Sequence, residues 1–191
     1  MKKKAIFTAA APVLVFTTVA FTTIKKNVDV EASTVEWTGK KITGSSHHGT
    51  IDLKQAYLNL TEDGKLTGGE FVIDMNTIEV TDLTGDNKEK LEGHLNSDDF
   101  FGVSNHDTSR MVITKAVPKT GNTYTVNGDL TIKGKTEPVT FDMVVNENTA
   151  TAKVAIDRTK FGIRYGSGSF FDNLGDNTIN NNFTLDVNLK F

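Results

Sequence analysis

The chain has 191 residues, a length that suits one domain with at most a tail. Its 37% hydrophobic content with only 3 Pro excludes a disordered polymer. There is no Cys, which excludes disulfides, thiolate nucleophiles, Cys-based zinc sites and a lipidated N-terminal Cys; the net charge of −3, with no basic cluster in the folded part, argues against a nucleic-acid partner.

Met1-Lys2-Lys3-Lys4 is a short basic region, and Ala5 to Ile24 then carries no charge. Thr18-Val19-Ala20 presents small residues where a signal peptidase reads, so residues 1–20 read as a signal peptide cut after Ala20. The uncharged span is also just long enough to cross a bilayer uncut, although Pro12, Thr17, Thr18, Thr22 and Thr23 make it a weak spanning helix. Both readings place the domain outside the cytoplasm, periplasmic or extracellular. Residues 21–32 read as a polar N-terminal lead without periodicity, and residues 33–191 as the domain.

Period-2 alternation governs most of that domain, so each strand shows one apolar and one polar face. Ser33–Gly39 is the first strand, with Val35 and Trp37 on one face. After a polar turn over Lys40–Ser46, strands are expected at His47–Leu53 and Ala56–Leu60. Thr61-Glu62-Asp63-Gly64 is a hairpin signal into Leu66–Met75, where Phe71, Ile73 and Met75 share a face. Gly68-Gly69 predicts a bulge or sharp bend in that strand. Thr84–Leu95 breaks the pattern. Leu91 and Leu95 stand at i, i+4 among Lys88, Glu89, Lys90 and Glu92, with Asp86 as the expected N-cap of one short helix.

Arg110–Val117 is the next strand, and Gly121-Asn122 turns it into Tyr124–Ile132. Tyr124, Val126, Leu130 and Ile132 form its apolar face. Lys133–Pro138 is the expected turn, with Pro138 where the following strand begins. Val139, Phe141, Met143 and Val145 then point one way, and Asp142 the other. Glu147-Asn148 turns into a strand with Ala150, Ala152, Val154 and Ile156 on one face. Asp157–Asn177 is a long Gly-rich loop, yet Phe161, Tyr165, Phe170 and Phe171 predict that it packs against the rest. The last strand alternates most cleanly, with Phe183, Leu185, Val187, Leu189 and Phe191 on one face.

These elements define an all-β fold of about eight antiparallel strands, with one short helix in a connection. A barrel is favoured because the strands are long and each has a single apolar face, so one sheet must curl around its own interior. A twelve-residue strand is about 40 Å long, and tilted by about 40° it gives a barrel about 30 Å tall.

Catalytic motifs are missing: no Gly-x-Ser-x-Gly elbow, phosphate loop, dinucleotide fingerprint or His-Glu-x-x-His pair occurs. Gly166-Ser167-Gly168-Ser169 reads as flexible loop, since no strand feeds it as a nucleophile elbow requires. His47, His48, His94 and His106 match no ligand spacing and read as exposed or hydrogen-bonded. Asp98, Asp99, Asp172 and Asp176 read as solvated loop residues or caps. No metal, cofactor or catalytic residue is therefore expected. That leaves the interior. The small inward face at Ala150 and Ala152, and the aromatic loops at Phe100-Phe101 and Phe161–Phe171, point to a ligand cavity in place of a fully packed core. Its candidate lining is Trp37, Phe71, Ile73, Phe100, Phe101 and Met111 from the first half, and Phe141, Met143, Phe161, Phe170, Phe183 and Leu185 from the second.

Taken in order, several stretches resemble the YceI-like family of lipocalin-like polyisoprenoid-binding proteins. They are Val35–Lys41 with His48-Gly49, Gly69–Ile78 with Asp82, His94–Phe101, Gly128–Val139 and Asp157–Ile163. The resemblance covers roughly Ser33 to Phe191. It implies an extended lipocalin-like β-barrel, exported across the inner membrane, whose tunnel takes a long isoprenoid or fatty chain such as a quinone tail. The function expected from it is that of an exported binding protein for such a lipid, serving transport, storage or stress protection. As partners it leaves open a transient membrane contact and a homodimer. Two other readings stand beside it: an enzyme on a lipocalin-like barrel using Asp98, Asp99 and His94 for acid–base chemistry, and a ligand-free packed barrel acting as an interaction module.

Overall fold

In the computed structural model, which describes residues 22–191, eleven strands form one antiparallel sheet. They are β1 Thr23–Asn27, β2 Asp29–Lys41, β3 Ser46–Thr50, β4 Leu53–Thr61, β5 Leu66–Asp74, β6 Glu79–Val80, β7 Thr108–Pro118, β8 Thr123–Ile132, β9 Lys135–Val145, β10 Thr149–Asp157 and β11 Ile179–Lys190. One helix, α1 (Gly85–Asn96), lies between β6 and β7. The antiparallel barrel read from alternation is therefore the architecture, and its long strands reach 13 residues in β2 and 12 in β11. The strand number exceeds the expected eight or so, and the nine stretches located by alternation, for two reasons. Residues 21–32, expected as an unstructured lead, contain β1 and the start of β2, and the two-residue β6 pairs with β3.

The extra N-terminal strand draws two distant parts of the wall together. β1 pairs with β4, while β2 pairs with β11, well along the sheet order from β4. Only Val28 separates them, and its N–H donates to the Ala56 carbonyl at 3.0 Å. One continuous segment is thus hydrogen-bonded to strands remote in the sheet order, which curls the sheet round towards a barrel. The signal-peptide cleavage site, and the uncharged span except for Thr22, Thr23 and Ile24, lie outside the described residues. Among the described residues no helix is long and apolar enough to cross a membrane.

Several local expectations shift. The β8–β9 turn is only Lys133-Gly134, with φ of 51° and 71°, the left-handed pair that a two-residue hairpin of right-twisted strands requires. The strand therefore begins at Lys135, and Pro138 stands inside β9 opposite Asp129, not at its start. Thr84, not Asp86, occupies the N-cap position of α1; Asp86 sits in the first turn, where its charge complements the helix dipole. The predicted irregularity in β5 is present but displaced. Asn59 pairs with Gly68 and Leu60 with Leu66, which leaves Thr67 as the extra residue. His47–Leu53 is not one strand, because β3 ends at Thr50 and Leu53 joins β4.

Two glycines are required by close backbone approach. A Cβ on Gly69 would stand 2.7 Å from the Tyr57 carbonyl oxygen. One on Gly49 would stand 1.8 Å from the Glu79 carbonyl oxygen and 2.8 Å from the Trp37 ring. Gly49 is the point where β3 is sandwiched between Trp37 of β2 and Val80 of β6. Gly49→Ala is expected to cost about 2 kcal/mol, read as a lower denaturant midpoint at unchanged slope. It should also shift the emission of Trp37, the only tryptophan.

Candidate ligand cavity

The inward faces line up as the alternation requires, but they do not fill the barrel. Val126, Leu130, Ile132, Met143, Val145 and Ile156 are buried. Trp37, Ile73, Met111, Phe141, Ala152, Phe183, Leu185 and Val187 also pack against the core, yet each is only partly buried. An inward-facing residue that stays partly uncovered borders empty space. That space is a cavity of about 540 Å³ at the α1 end, within the range of small-molecule sites. A second compartment of about 90 Å³ lies deeper. The two share Ile73, Ser109, Leu130, Ile156 and Leu185, so they are neighbouring chambers with a common neck.

Of the twelve predicted lining residues, Trp37, Ile73, Phe100, Phe101, Phe183 and Leu185 line the outer chamber. Phe71, Met111, Phe141 and Met143 line the inner one, which Ile73 and Leu185 also reach. Phe161 and Phe170 line neither. Phe161 is buried in the wall at 1% exposure, and Phe170 lies outside at 46%, beneath the Arg164 guanidinium at 4.6 Å from its ring centroid. The loop after β10 thus divides. Its first half packs, through Arg158, Phe161, Ile163 and Ser167, while Tyr165, Phe170 and Phe171 stay exposed. The segment Gly166–Ser169 is not a flexible loop: buried Ser167 donates to the Asn181 side chain at 2.6 Å and accepts from the Ser169 N–H at 3.2 Å. Of the two small residues, Ala152 opens space in the inner chamber, whereas Ala150 is sealed in the wall.

The mouth is organised by a residue that sequence reasoning passed over. Arg158 begins a 3-10 turn (Arg158–Phe161) directly after β10 and is 2% exposed. Its guanidinium donates to four backbone carbonyls: Ile163 at 3.0 Å, Tyr165 at 2.8 Å, Ile179 at 3.2 Å and Asn180 at 3.0 Å. Burial pulls its pKa below the ordinary arginine value while nearby Asp157 opposes this, and a guanidinium remains protonated throughout. The cation lies 5.7 Å from the Phe100 ring centroid. His94 of α1 packs edge-on against both Phe100 (5.1 Å) and Tyr165 (4.3 Å), joining the helix to the loop. Lys133, in the β8–β9 turn, donates to the carbonyls of Asp98 and Phe100 and so fixes the aromatic pair at the rim. Phe100 and Phe101 are able to face one cavity because they sit in a turn, not on a strand.

Polar groups gather at the outer chamber. Lys40, Lys41, His47, Arg158, Asn180 and Asn182 line it, and among the described residues no Asp or Glu does. His47 is held by Asp82, whose carboxylate lies 2.8 Å from Nδ1 and accepts the His48 N–H at 3.1 Å. Burial raises the Asp82 pKa, but these two hydrogen bonds outweigh it and hold the carboxyl below its ordinary value. The acid–base alternative does not find its groups assembled: His94 lines the cavity, whereas Asp98 and Asp99 are exposed and line neither chamber. Among the described residues no cluster of His, Asp and Glu is placed to hold a metal. Asn76 and Thr77 form the turn that ends β5, where Thr77 Oγ1 accepts the Asp52 N–H at 2.8 Å.

A curled antiparallel wall around a partly empty apolar interior, with lysine, histidine and amide side chains gathered at one end, has the architecture of a barrel of the single-ligand type. The chain belongs to the YceI-like family, whose domain matches residues 27–191. The UPF0312 proteins of two Staphylococcus epidermidis strains are 36% identical over 88 residues, which is 40% of this chain and 48% of theirs; the match spans about half the length of these curated relatives. The fold is shared with BcnA of Burkholderia cenocepacia at a TM-score of 0.66 and 23% identity, over 85% of this chain and 98% of that one. It is also shared with a polyisoprenoid binding domain from Saccharophagus degradans implicated in plant cell wall breakdown, at 0.56 and 13% over 89% and 97%. The Campylobacter jejuni YCEI protein matches at 0.52 and 13% over 100% and 99%.

Proposed function

We propose that the protein is an exported binding protein that holds a long-chain amphiphilic lipid, a polyisoprenoid such as a quinone or prenol, inside its barrel. The observation that carries this reading is the polarity gradient of the interior. The inner chamber has a greasy lining from Val35 to Val187, to which Arg110 adds only its stem, its guanidinium being turned outward onto Glu70 Oε1 at 2.8 Å; the lysine, histidine and amide side chains border the outer chamber. A single apolar tail with one polar end matches that gradient, because burying the tail is favourable at about 25 cal/mol per Å² and the polar end keeps its partners. The polyisoprenoid binding domain of the Saccharophagus neighbour, which has the same fold, supports the assignment of the tail. The basic start and uncharged span of residues 1–20 support export.

Native mass spectrometry of the mature protein, with lipid extraction, tests this. A co-purifying lipid, or an adduct on adding a long-chain quinone, is expected. Neither appearing would leave a ligand-free interaction module as the better account. Trp37 lines the outer chamber and donates through Nε1 to the Thr50 carbonyl at 3.2 Å, so its emission should report occupancy directly.

Lipid exchange requires contact with a membrane, and the mouth is suited to it. Ile42, Tyr165, Phe170 and Phe171 are exposed there at 45–60% or close to it, with Lys40, Lys41 and Arg164 nearby. Ile42 donates its N–H to Thr178, and Gly166 accepts from Ile179, so both segments border one stretch of the rim. The double substitution Phe170→Ala, Phe171→Ala should reduce co-sedimentation with phospholipid vesicles about tenfold, roughly 1.4 kcal/mol. Quinone binding in detergent should be unchanged, since neither ring lines a chamber.

A further inference from the structure

The wall has a gap. Pairing between β9 and β10 covers only Val145 with Ala150, Val144 with Thr151 and Met143 with Ala152. Both strands continue well beyond, β9 back to Lys135 and β10 on to Asp157. Each remains paired on its other side, β9 with β8 as far as Lys135 and β10 with β11 as far as Asp157. The two strands therefore diverge while staying ordered, and the sheet opens between them.

The sequence is adapted to this opening. Counting from the Lys133-Gly134 turn, Ile132 and Lys135 are the first hydrogen-bonded pair, so odd-numbered residues of β9 bond to β8. The Val145 N–H, which donates to the Asn122 carbonyl at 2.9 Å, has this parity. Even-numbered residues, Pro138, Thr140 and Asp142, then direct their backbone towards β10. Pro138 has no N–H to offer, and it occupies a position where no strand pair exists to receive one. The missing donor also keeps the bare edge from recruiting a foreign strand.

The inner chamber lies against this gap. Val139, Phe141 and Met143 from β9 and Ala152, Val154 and Ile156 from β10 line it. At the mouth end the gap is covered by the turn that carries Arg158 and Phe161, with the Lys135 side chain against Gly162. Its middle stretch is an apolar slot at the deepest part of the cavity, with Val139 and Phe141 on the β9 side and the buried Val154 and Ile156 on the β10 side.

We propose that this slot is a lateral portal for the ligand's tail: a chain too long for the two chambers leaves the barrel between β9 and β10, so the protein sets no upper limit on tail length. The proposal rests on the lipid-binding reading of the cavity. In this arrangement the outer chamber selects the polar end, and Val139, Phe141, Val154 and Ile156 form an apolar exit in place of a closed floor.

The test closes the slot from outside. Thr140 and Ala155 are exposed and would face each other if the β9–β10 register continued. The chain has no native Cys, so Thr140→Cys with Ala155→Cys provides the only thiol pair, to be joined by a short bifunctional reagent. Farnesol, a short prenol, and solanesol, a long one, are the probes. The uncrosslinked variant should bind both. The crosslinked form should keep farnesol and lose solanesol affinity at least tenfold. Equal solanesol binding before and after crosslinking overturns the portal while leaving the lipid-binding reading intact. Failure of the uncrosslinked protein to bind either prenol overturns both. Hydrogen exchange on the unmodified protein gives a second readout that needs no crosslink. The Thr140, Asp142, Lys153 and Ala155 amides should exchange fast in the free protein and become protected by solanesol but not by farnesol. Protection already present in the free protein would show the strands to be paired and end the proposal.

Discussion

Arg158→Ala is expected to lower stability by about 3–4 kcal/mol, because each buried carbonyl left without a donor costs about 1–3 kcal/mol and water from the cavity relieves only some of them. For a domain of this size that corresponds to a fall in melting temperature of about 10 °C. The reason is geometric. One guanidinium joins Ile163 and Tyr165 of the loop to Ile179 and Asn180 at the start of β11. Without it, the loop that carries Tyr165 is released from the strand that carries Asn180 and Phe183, and the mouth loses its shape. Arg158→Lys should recover little of the loss. An ammonium keeps the charge but cannot spread donors over four carbonyls as a planar fork does. Thermal unfolding together with Trp37 emission separates the two consequences, the first reporting the fold and the second the cavity beside it. A melting temperature within about 2 °C of the parent would show that these bonds are replaced by water at little cost.

Leu185→Phe is expected to weaken solanesol binding at least tenfold, about 1.4 kcal/mol, and the double substitution with Ile73→Phe about a hundredfold. Both residues line both chambers, so the added rings occupy the neck through which a tail must pass. Ordinary overpacking of a core costs about 1–3 kcal/mol, but here the extra atoms enter space that is already empty, so stability should hold or rise slightly. Loss of binding without loss of stability is thus the signature of a functional cavity. A packed barrel would show the reverse, destabilisation with no binding to lose. Titration followed by Trp37 emission, beside denaturant unfolding, reads both quantities on one protein.

Much of this wall was legible because strand alternation and turn chemistry are local. The faces of β8, β9 and β11 could be assigned residue by residue from period 2, and Phe141, Met143, Phe183 and Leu185 do point inward. The short α1 was legible from Leu91 and Leu95 set one turn apart among charges. The errors arise where a non-local partner decides. Lys25–Ala32 shows no alternation of its own, yet it becomes β1 and the start of β2 because β4 and β11 offer edges on either side of Val28. Phe161 and Phe170 look alike in sequence, but one is wedged into the wall and the other lies under Arg164 on the surface. Arg158 sits among Asp157, Thr159 and Lys160, the composition of an exposed turn. Its burial depends on carbonyls up to 22 residues away. The only local hint was Gly162, whose φ of 80° lets the chain turn sharply enough to bring the Ile163 carbonyl back to it.

The amino-acid order by itself determined that this chain makes long, one-faced antiparallel strands, where most of them turn, and that their apolar faces must enclose a common interior. Those are consequences of backbone geometry and of keeping apolar side chains from water, both of which act over a few residues. Whether the enclosed interior is filled or hollow was left to the tertiary structure, because it depends on the distance between walls, which no single strand sets. The same holds for the guanidinium at the mouth and for the opening opposite Pro138. Each exists only where segments distant in sequence come close together, or in the last case fail to.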